Sequence, residues 1–245
     1  MSAKLELIAA ACHNRGIGFK GNLPWRLKSM RYLMLLACLP FSTAAGSQNK
    51  QLGEIAMTRK IMPAKLELIA AACNNRGIGF KGELPWRLKS ELEFFTRMTT
   101  NTKDAGKKNA VIMGRKTWES IPANHKPLQG RLNVVLTRQK DFDLGDKGVV
   151  CNSLEEAVSL VTSPPYNDQI ERHWVIGGSA IYEAALNSTS CHRVYLTDIL
   201  ADFECDTFFP EMDETKFERV EDPDVPEGIQ EEKGICFKYN VFQHK

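Results

Sequence analysis

The order of apolar runs and helix signals predicts an α/β fold with a mostly parallel central sheet, an antiparallel C-terminal pair of strands and helices on both faces. Strand-like and helix-like segments alternate from residue 66 to residue 199, which is typical of parallel strands joined by crossover helices. Leu66–Cys73 is an unbroken apolar run after Glu67, as in a strand that is buried on both faces. Phe217–Asp222 and Ile235–Gln243 resemble a closing antiparallel pair.

The remaining elements follow in chain order. The further predicted strands are short apolar runs, namely Ala110–Met113, Leu132–Thr137, Gly148–Cys151, His173–Ile176 and Arg193–Ile199. The predicted helices are Ser90–Thr100, one that opens with Gly114-Arg115-Lys116-Thr117, one from Ser153 to about Thr162, and Ala180–Leu186. Ser153 and Glu156 have the spacing of a capping box. Because ligands of such sheets lie at the carboxyl ends of strands, the turns at Gly77, Gly114 and Gly177 are expected to line one rim.

The front of the chain contains an internal repeat. Ala3–Ser29 and Ala64–Ser90 are identical at 25 of 27 positions, and the two copies diverge directly afterwards. Met30 then stands where Glu91 stands in the second copy. If Glu91 is the acid of a catalytic site, the first copy is chemically incomplete.

The repeat predicts that the chain consists of a duplicated front segment and one folded domain. A sheet has one place for a first strand, and we expect Leu66–Cys73 to occupy it because its connection to the next helix is short. Residues 1–62 are predicted to be a duplicated first-strand and loop segment with a poorly ordered appendage at Gly46–Met62. Residues 63–245 are predicted to form the folded domain.

Charge and cysteine content limit the classes of function. Residues 1–62 hold nine Lys or Arg and two Glu, a charge of +7, which leaves −5 for residues 63–245 and argues against nucleic acid as the principal ligand. The apolar run Tyr32–Leu39 is far shorter than the ~20 residues of a membrane span. Seven cysteines without a C-x-x-C pair, and no His cluster at metal spacing, indicate reduced thiols in a cytoplasmic protein without a metal site. A mitochondrial presequence within the basic segment is the alternative location.

Glu91 is the first candidate for catalysis. In the helix from Ser90, the residues Leu88, Leu92 and Phe95 are expected to form an apolar stripe, and Glu91 lies about 40° from Phe95 on the helical wheel. Glu93 falls on the opposite side and is expected to face water. A carboxyl beside apolar side chains favours its neutral form and can hold a proton near neutral pH. The alternative is an ordinary glutamate stabilised by the helix macrodipole.

Three features suggest an anionic ligand. The turn Gly177–Ala180 between a strand and a helix can cradle a phosphate with backbone N–H groups, although such a glycine pair is more often only a tight turn. Arg115, Lys116 and Arg138 place cations beside the turns, which suits a polyanion such as NADP(H), unless they are simply solvated. Arg131 precedes a strand and can bind a carboxylate with its guanidinium fork, or can be an ordinary surface residue.

Together these segments closely resemble dihydrofolate reductase of the animal type. The motifs are LPW, VIMGRKTWESIP, GRLNVVLTR, WVIGGSAIY and DTFFPE, in the family's order and spacing, over about Ala64 to Lys245. The resemblance implies the family's three-layer fold. It also implies NADPH-dependent reduction of 7,8-dihydrofolate to tetrahydrofolate by a cytoplasmic monomer without a membrane partner.

The resemblance further implies roles for individual residues. Glu91 would support protonation at pterin N5, Trp86 would belong to the same catalytic group, and Thr207 would hold the carboxylate region by a hydrogen bond. The residues implied to line the substrate slot are Ile69, Ala71, Leu84, Leu92, Phe95, Ile121, Leu128, Arg131, Ile176 and Tyr182. The residues implied to hold the cofactor are Ala71, Ile78, Gly79, Gly82, Arg115, Lys116, Thr117, Thr137, Arg138, Ser153, Gly177, Gly178, Ser179, Ala180 and Ile181. Arg131 would bind the glutamate tail of the substrate, and Gly77–Glu83 would be a mobile loop over the nicotinamide.

Two alternatives from other classes remain at this point. One is a folate-, NADPH- or RNA-binding relative without turnover, in which the front segment blocks the loop; a weak RNA contact is also compatible with the leading reading. The other is a reductase of related fold that acts on a riboflavin precursor. Arg131 and the unit formed by LPW and Glu91 speak against the second alternative.

Overall fold

The structure is a computed structural model that describes residues 64–245, in which one nine-stranded sheet is flanked by four helices. The strands are β1 (Leu66–Ala72), β2 (Gly77–Gly79), β3 (Lys108–Gly114), β4 (Arg131–Leu136), β5 (Val149–Cys151), β6 (Ile170–Val175), β7 (Cys191–Ile199), β8 (Thr207–Phe208), β9 (Phe217–Val220), β10 (Ile229–Glu232) and β11 (Ile235–His244). The helices are α1 (Lys89–Thr100), α2 (Arg115–Ser120), α3 (Leu154–Val161) and α4 (Ser179–Leu186). The predicted boundaries of these helices are confirmed to within one or two residues.

The sheet has the order β10-β11-β7-β1-β6-β3-β4-β5, and β9 pairs with β11. All pairs from β7 to β5 are parallel, whereas β11 is antiparallel to β7, β9 and β10. The mostly parallel sheet and its antiparallel C-terminal pair are therefore confirmed. The second copy of the repeat supplies β1 between β6 and β7, as predicted, and the first copy lies outside the described residues.

The core lies on both faces of the sheet because successive strand residues point to opposite sides. In β1, Leu66 and Leu68 belong to one apolar cluster and Ile69 to the other. Helices α3 and α4 cover the first cluster, while α1 and α2 cover the second. Each fully buried Leu or Ile contributes about 1.5–3 kcal/mol, so the alternation in the central strands holds the three layers together.

Three short strands were not predicted. β2 and β8 form a separate two-stranded sheet beside the end of β1, and β10 pairs with β11. Their short sequences, GIG, TF and IQEE, contain no run of apolar residues and are mostly exposed or half-buried, so they give no strand signal. Among residues 64–245, no helix combines the length and apolar character needed to cross a bilayer.

Candidate active site

Glu91 is a buried acid in the first turn of α1, with 6% of its surface exposed. The Thr197 hydroxyl donates a long hydrogen bond of 3.4 Å to Glu91 Oε1. Burial raises the pKa of Glu91 from its ordinary value of 4.5 to about 7, and the bond from Thr197 opposes part of that rise. The carboxyl is therefore half-protonated near neutral pH, as predicted from its apolar surroundings.

The face of α1 that packs on the sheet differs from the predicted one. Glu91, Phe94 and Met98 are buried, whereas Leu92 is 56% exposed and Phe95 is half-buried. Leu88 is buried as predicted. The rest of the stripe was wrong, because it included the exposed Leu92 and left out the buried Phe94 and Met98. The buried face runs along the helix from the first turn, which carries the acid, to Met98.

The N-terminus of α1 is capped by a residue of β10, a strand at the edge of the sheet. Glu232 in β10 accepts hydrogen bonds from the backbone N–H groups of Lys89 and Ser90, both at 2.9 Å, and from the Ser90 hydroxyl at 2.6 Å. These bonds lower the pKa of Glu232 to about 2. The strand thus holds the helix that positions Glu91, although Glu232 shows no local cap signature in the sequence.

The predicted role of Thr207 is wrong. Its hydroxyl donates to Asp206 Oδ1 at 2.9 Å, and the partner of Glu91 is Thr197 in β7. Thr197 is buried next to β1 and β11, so its hydroxyl faces the acid across the packed core. The sequence signal that could have identified this partner is Thr197 itself, the one threonine of the predicted strand Arg193–Ile199, because a buried hydroxyl requires a hydrogen-bond partner.

Most residues predicted to line the substrate slot share one apolar cluster. That cluster contains or contacts Trp86, Ile69, Ala71, Phe95, Ile121, Leu128 and Ile176. Leu84 and Leu92 expose 52% and 56% of their surfaces. Neither side chain belongs to the cluster, so their place in the substrate slot stays a prediction.

Trp86 lies buried next to α1 and has an unsatisfied indole. Its ring packs against Phe203 at a centroid distance of 5.6 Å, and its Nε1–H has no partner among the described residues. Buried polar groups are almost always bonded, so this donor indicates a place for a ligand atom or water. The assignment of Trp86 to the catalytic group remains a prediction.

Tyr182 in α4 lies mainly outside the slot cluster. It is buried, packs on Phe209 and belongs to the core on the opposite face of the sheet. Its hydroxyl donates to the Ile69 carbonyl at 2.7 Å. Burial and the charge of Glu91 raise the pKa of Tyr182. Only the tip of the side chain therefore reaches the region in which it was predicted to act.

Arg131 begins β4 and lies half-buried at the far end of α1. Its Nη1–H donates to the Thr99 hydroxyl at 2.7 Å and its Nε–H donates to the Gln129 carbonyl at 3.1 Å. Burial lowers its pKa, yet a guanidinium remains cationic at neutral pH. Within residues 64–245 it forms no ion pair, so its charge is available to an anionic ligand.

Two of the three predicted glycine turns meet directly. The Gly114 N–H donates to the Gly177 carbonyl at 2.8 Å. A Cβ at Gly177 or at Gly178 would lie 3.1 or 3.2 Å from Thr117 Oγ1, and Gly177 has φ of +130°. Glycine is therefore required here for the backbone to lie against the Thr117 hydroxyl.

The third turn is connected to this rim through β8. Gly77 and Gly79 pair with Phe208 and Thr207, and the Ser179 hydroxyl donates to the Phe208 carbonyl. The predicted rim is therefore confirmed. Ser179 uses its hydroxyl proton within the protein, which leaves its oxygen and backbone for a ligand.

The other predicted cofactor residues surround the rim with different local bonds. Arg115 forms an ion pair with Glu119 at 2.6 Å, so its charge is partly neutralised. Lys116 and Arg138 are exposed and form no ion pair among the described residues. The Thr137 hydroxyl accepts a bond from the Gln139 N–H.

The remaining cofactor residues lie on the loop and the two later helices. Ser153 caps α3 by accepting from the Glu156 N–H at 3.2 Å, as predicted. Ile78 and Ile181 are half-buried, while Gly82 and Ala180 are exposed. Their contacts to a cofactor stay predictions.

A buried, protonatable carboxyl beside an apolar cluster, together with a glycine rim and cations that form no ion pair within residues 64–245, is the arrangement expected of an α/β enzyme that binds an anionic cofactor. The family model described as dihydrofolate reductase matches residues 65–243. Dihydrofolate reductase of Aedes albopictus is 48% identical over 181 residues, which cover 73% of this chain and 97% of that protein. The chicken enzyme, from Gallus gallus, is 44% identical over 180 residues, with 73% and 95% covered.

A solved structure agrees with these relatives. Schistosoma mansoni dihydrofolate reductase matches with a TM-score of 0.68 and 37% sequence identity, covering 75% of this chain and 100% of that one. The chain belongs to the dihydrofolate reductase family. The resemblance to the animal type and the family's three-layer fold are thereby confirmed.

The residues present fit the nicotinamide cofactor that this family implies. Gly177 and Gly178 present bare backbone beside the Thr117 hydroxyl at the start of α4, and backbone N–H groups at such a turn suit a phosphate. Lys116 and Arg138 supply charges that are not neutralised by ion pairs within residues 64–245.

Proposed function

We propose that the chain reduces 7,8-dihydrofolate to 5,6,7,8-tetrahydrofolate with NADPH as the cofactor. The observation that carries the proposal is the buried Glu91, whose pKa of about 7 lets it hold a proton at the edge of an apolar cleft. NADPH, when bound, supplies the hydride. The chain's residues supply position, exclusion of water and the proton for pterin N5.

The apolar cleft would hold the pterin and the ring that follows it. Leu92 and Phe95 present apolar surface on the open side of α1, and Ile176 lies at the carboxyl end of β6. Arg131 would bind the carboxylate of the glutamate tail, since its guanidinium forms no ion pair within residues 64–245. This arrangement would place the charged end of the substrate away from the buried acid.

The glycine rim would hold the cofactor phosphates. Thr117, Gly178 and Ser179 lie together at the start of α4, where backbone N–H groups favour an anion. Thr137 and Arg138 would favour NADPH over NADH by binding its additional phosphate. Gly77–Glu83 would close over the nicotinamide and exclude water.

The test is replacement of Glu91 by Ala. We expect NADPH oxidation with dihydrofolate to fall by about 10²–10⁴, because positioned acid catalysis contributes that much. NADPH binding should persist, as measured by the quenching of tryptophan fluorescence.

Glu93→Ala on the exposed side of the same helix is the matched control and should retain the rate. Near-normal turnover by Glu91→Ala would contradict the role of the acid. Family membership does not favour the alternative of a relative without turnover.

We further infer a cytoplasmic monomer. The five cysteines of the described residues are free thiols, which suits a reducing compartment. A weak contact with RNA is a secondary proposal. It predicts binding that disappears between low and physiological salt, since a contact of this kind would be electrostatic.

A further inference from the structure

Two cysteines that are far apart in sequence lie side by side at the base of the loop over the rim. The sulfurs of Cys73 and Cys205 are 3.6 Å apart, although 132 positions separate the residues. Cys73 is buried directly after β1, and Cys205 is half-buried shortly before β8. Both are free thiols.

The sulfur pair occupies the space above Gly77. A Cβ at Gly77 would clash with Cys205 Sγ and would lie 2.8 Å from Cys73 Sγ. The Cys73 N–H also donates to the Gly77 carbonyl at 2.8 Å. The first residue of β2 therefore rests directly on the two thiols, and a change in their separation acts on it.

The segment after Cys205 holds the loop by a strand pairing, two backbone hydrogen bonds and one bond to a side chain. β8 pairs with β2, and the Asp206 N–H donates to the Gly79 carbonyl at 3.0 Å. The Lys81 N–H donates to Asp206 Oδ2 at 2.8 Å, and the Phe209 N–H donates to the Arg76 carbonyl at 2.7 Å. Movement of this segment is thus transmitted to both ends of Gly77–Lys81.

We propose that Cys73 and Cys205 form a reversible intrachain disulfide under oxidising conditions, and that the bond restrains the loop Gly77–Glu83. The sulfurs would approach by about 1.6 Å to reach the usual S–S bond length of about 2.0 Å. The bond would then join the end of β1 covalently to the segment that holds the loop.

A peroxide is the oxidant class that the reaction requires. The more exposed Cys205 thiolate attacks hydrogen peroxide, which breaks the O–O bond and gives a sulfenic acid and one water after proton transfer. The Cys73 sulfur then attacks the Cys205 sulfur and displaces a second water. Two thiols and one peroxide thus become one disulfide and two waters. A small-molecule thiol then reduces the disulfide back to the two cysteines by thiol–disulfide exchange.

The surroundings predict a slow response at neutral pH. Burial and the neighbouring Cys73 raise the pKa of Cys205 to about 11, which keeps the thiolate fraction small. Oxidation should therefore accelerate as the pH rises from 7 to 9.

The experiment uses the full chain treated with hydrogen peroxide at pH 8.5. Non-reducing digestion and mass spectrometry should find the peptides of Cys73 and Cys205 joined. Trypsin should cut at the exposed Arg76 and Lys81 several-fold more slowly than in the reduced protein. Turnover should fall several-fold and return with dithiothreitol, because a restrained loop slows exchange of ligands.

Cys205→Ser should abolish all three effects, whereas the matched control Cys236→Ser, at another half-buried thiol, should retain them. Cys73 and Cys205 peptides that stay separate while Cys236 is oxidised would overturn the proposal. A disulfide that leaves cleavage at Lys81 unchanged would overturn the restraint. Only the turnover readout rests on the proposed function; peptide linkage and cleavage decide the disulfide even if the reduced protein fails to oxidise NADPH.

Discussion

At the scale of single residues, the burial of Glu91 favours catalysis but lowers the stability of the fold. The protein buries a carboxyl whose only described hydrogen bond is the long one from Thr197. A catalytic acid needs a pKa near the working pH, and burial without a cation supplies that shift. The same burial destabilises the folded state wherever the carboxyl is ionised.

Glu91→Gln should separate the effect of the buried charge on stability from the role of the carboxyl in catalysis. The folded pKa of about 7 exceeds the ordinary 4.5, so the folded state binds more protons between these values and loses stability as the pH rises through them. Above pH 7 the loss is about 3 kcal/mol, at 1.36 kcal/mol for each unit of pKa. The amide variant should therefore gain stability relative to the native protein from pH 4.5 to pH 7, as measured by urea unfolding. A constant difference across this range would contradict the shifted pKa.

Thr197→Val tests the corrected partner of the acid. Its hydroxyl stabilises the ionised carboxyl, so its loss should raise the pKa of Glu91 further. We expect the turnover rate to fall above about pH 7 in the native protein and at higher pH in the variant, with a displacement below about one pH unit because the bond is long. Thr207→Val should leave the midpoint of the pH profile unchanged, since its hydroxyl bonds Asp206. A displaced midpoint in Thr207→Val alone would restore the original assignment.

At the scale of elements, α1 is the helix on which the site depends. Its first turn has no side-chain cap from its own segment, and β10 supplies one through Glu232. A strand that the sequence did not predict, because it is mostly polar and exposed, thus caps the helix that carries the acid. Burial of Phe94 and Met98 fixes the rotation of the helix about its axis.

Glu232→Gln should lower the thermal midpoint of unfolding at pH 7 by a few degrees. The depressed pKa of about 2 means that the carboxylate stabilises the fold above its ordinary pKa and loses this effect as the pH falls towards 2. Calorimetry at pH 7 and near pH 2 should therefore show a difference that disappears in acid. Glu231→Gln, on the exposed neighbour in β10, is the matched control and should show no such dependence.

At the scale of the whole molecule, the sheet, its four helices and the named site residues all lie within residues 64–245. The place of the first strand is taken by the copy of the repeat that leads into Glu91. The copy at the front leads into Met30, so its use in the same place would supply no acid.

A chain that starts at Met62 should consequently match the full chain. We expect the same free energy of unfolding and the same turnover per molecule, measured side by side with NADPH and dihydrofolate. Much faster turnover by the shortened chain would show that residues 1–62 obstruct the site. A shortened chain that fails to fold would show that these residues contribute to the domain.

Much of the fold and part of the site were predictable from the sequence. Mostly apolar runs of four to nine residues predicted the strands of the main sheet except β10, and the glycines at the ends of β1, β3 and β6 predicted the rim. Glu91 was recognised from its position in α1, although the stripe beside it was misjudged. Leu92 looked like core because an apolar residue facing a ligand cleft has the same local signal as one facing the protein.

The one-dimensional pattern was sufficient for the identity and order of the elements, since hydrophobic periodicity and turn residues act locally. The partners of polar atoms were not predictable in this way. Thr197 and Glu91, Glu232 and Lys89, and Cys73 and Cys205 are each separated by more than 100 residues and meet only after the sheet has set their register. A hydrogen bond or a thiol contact requires atoms to lie within about 3–4 Å, and only the packed fold determines positions to that accuracy.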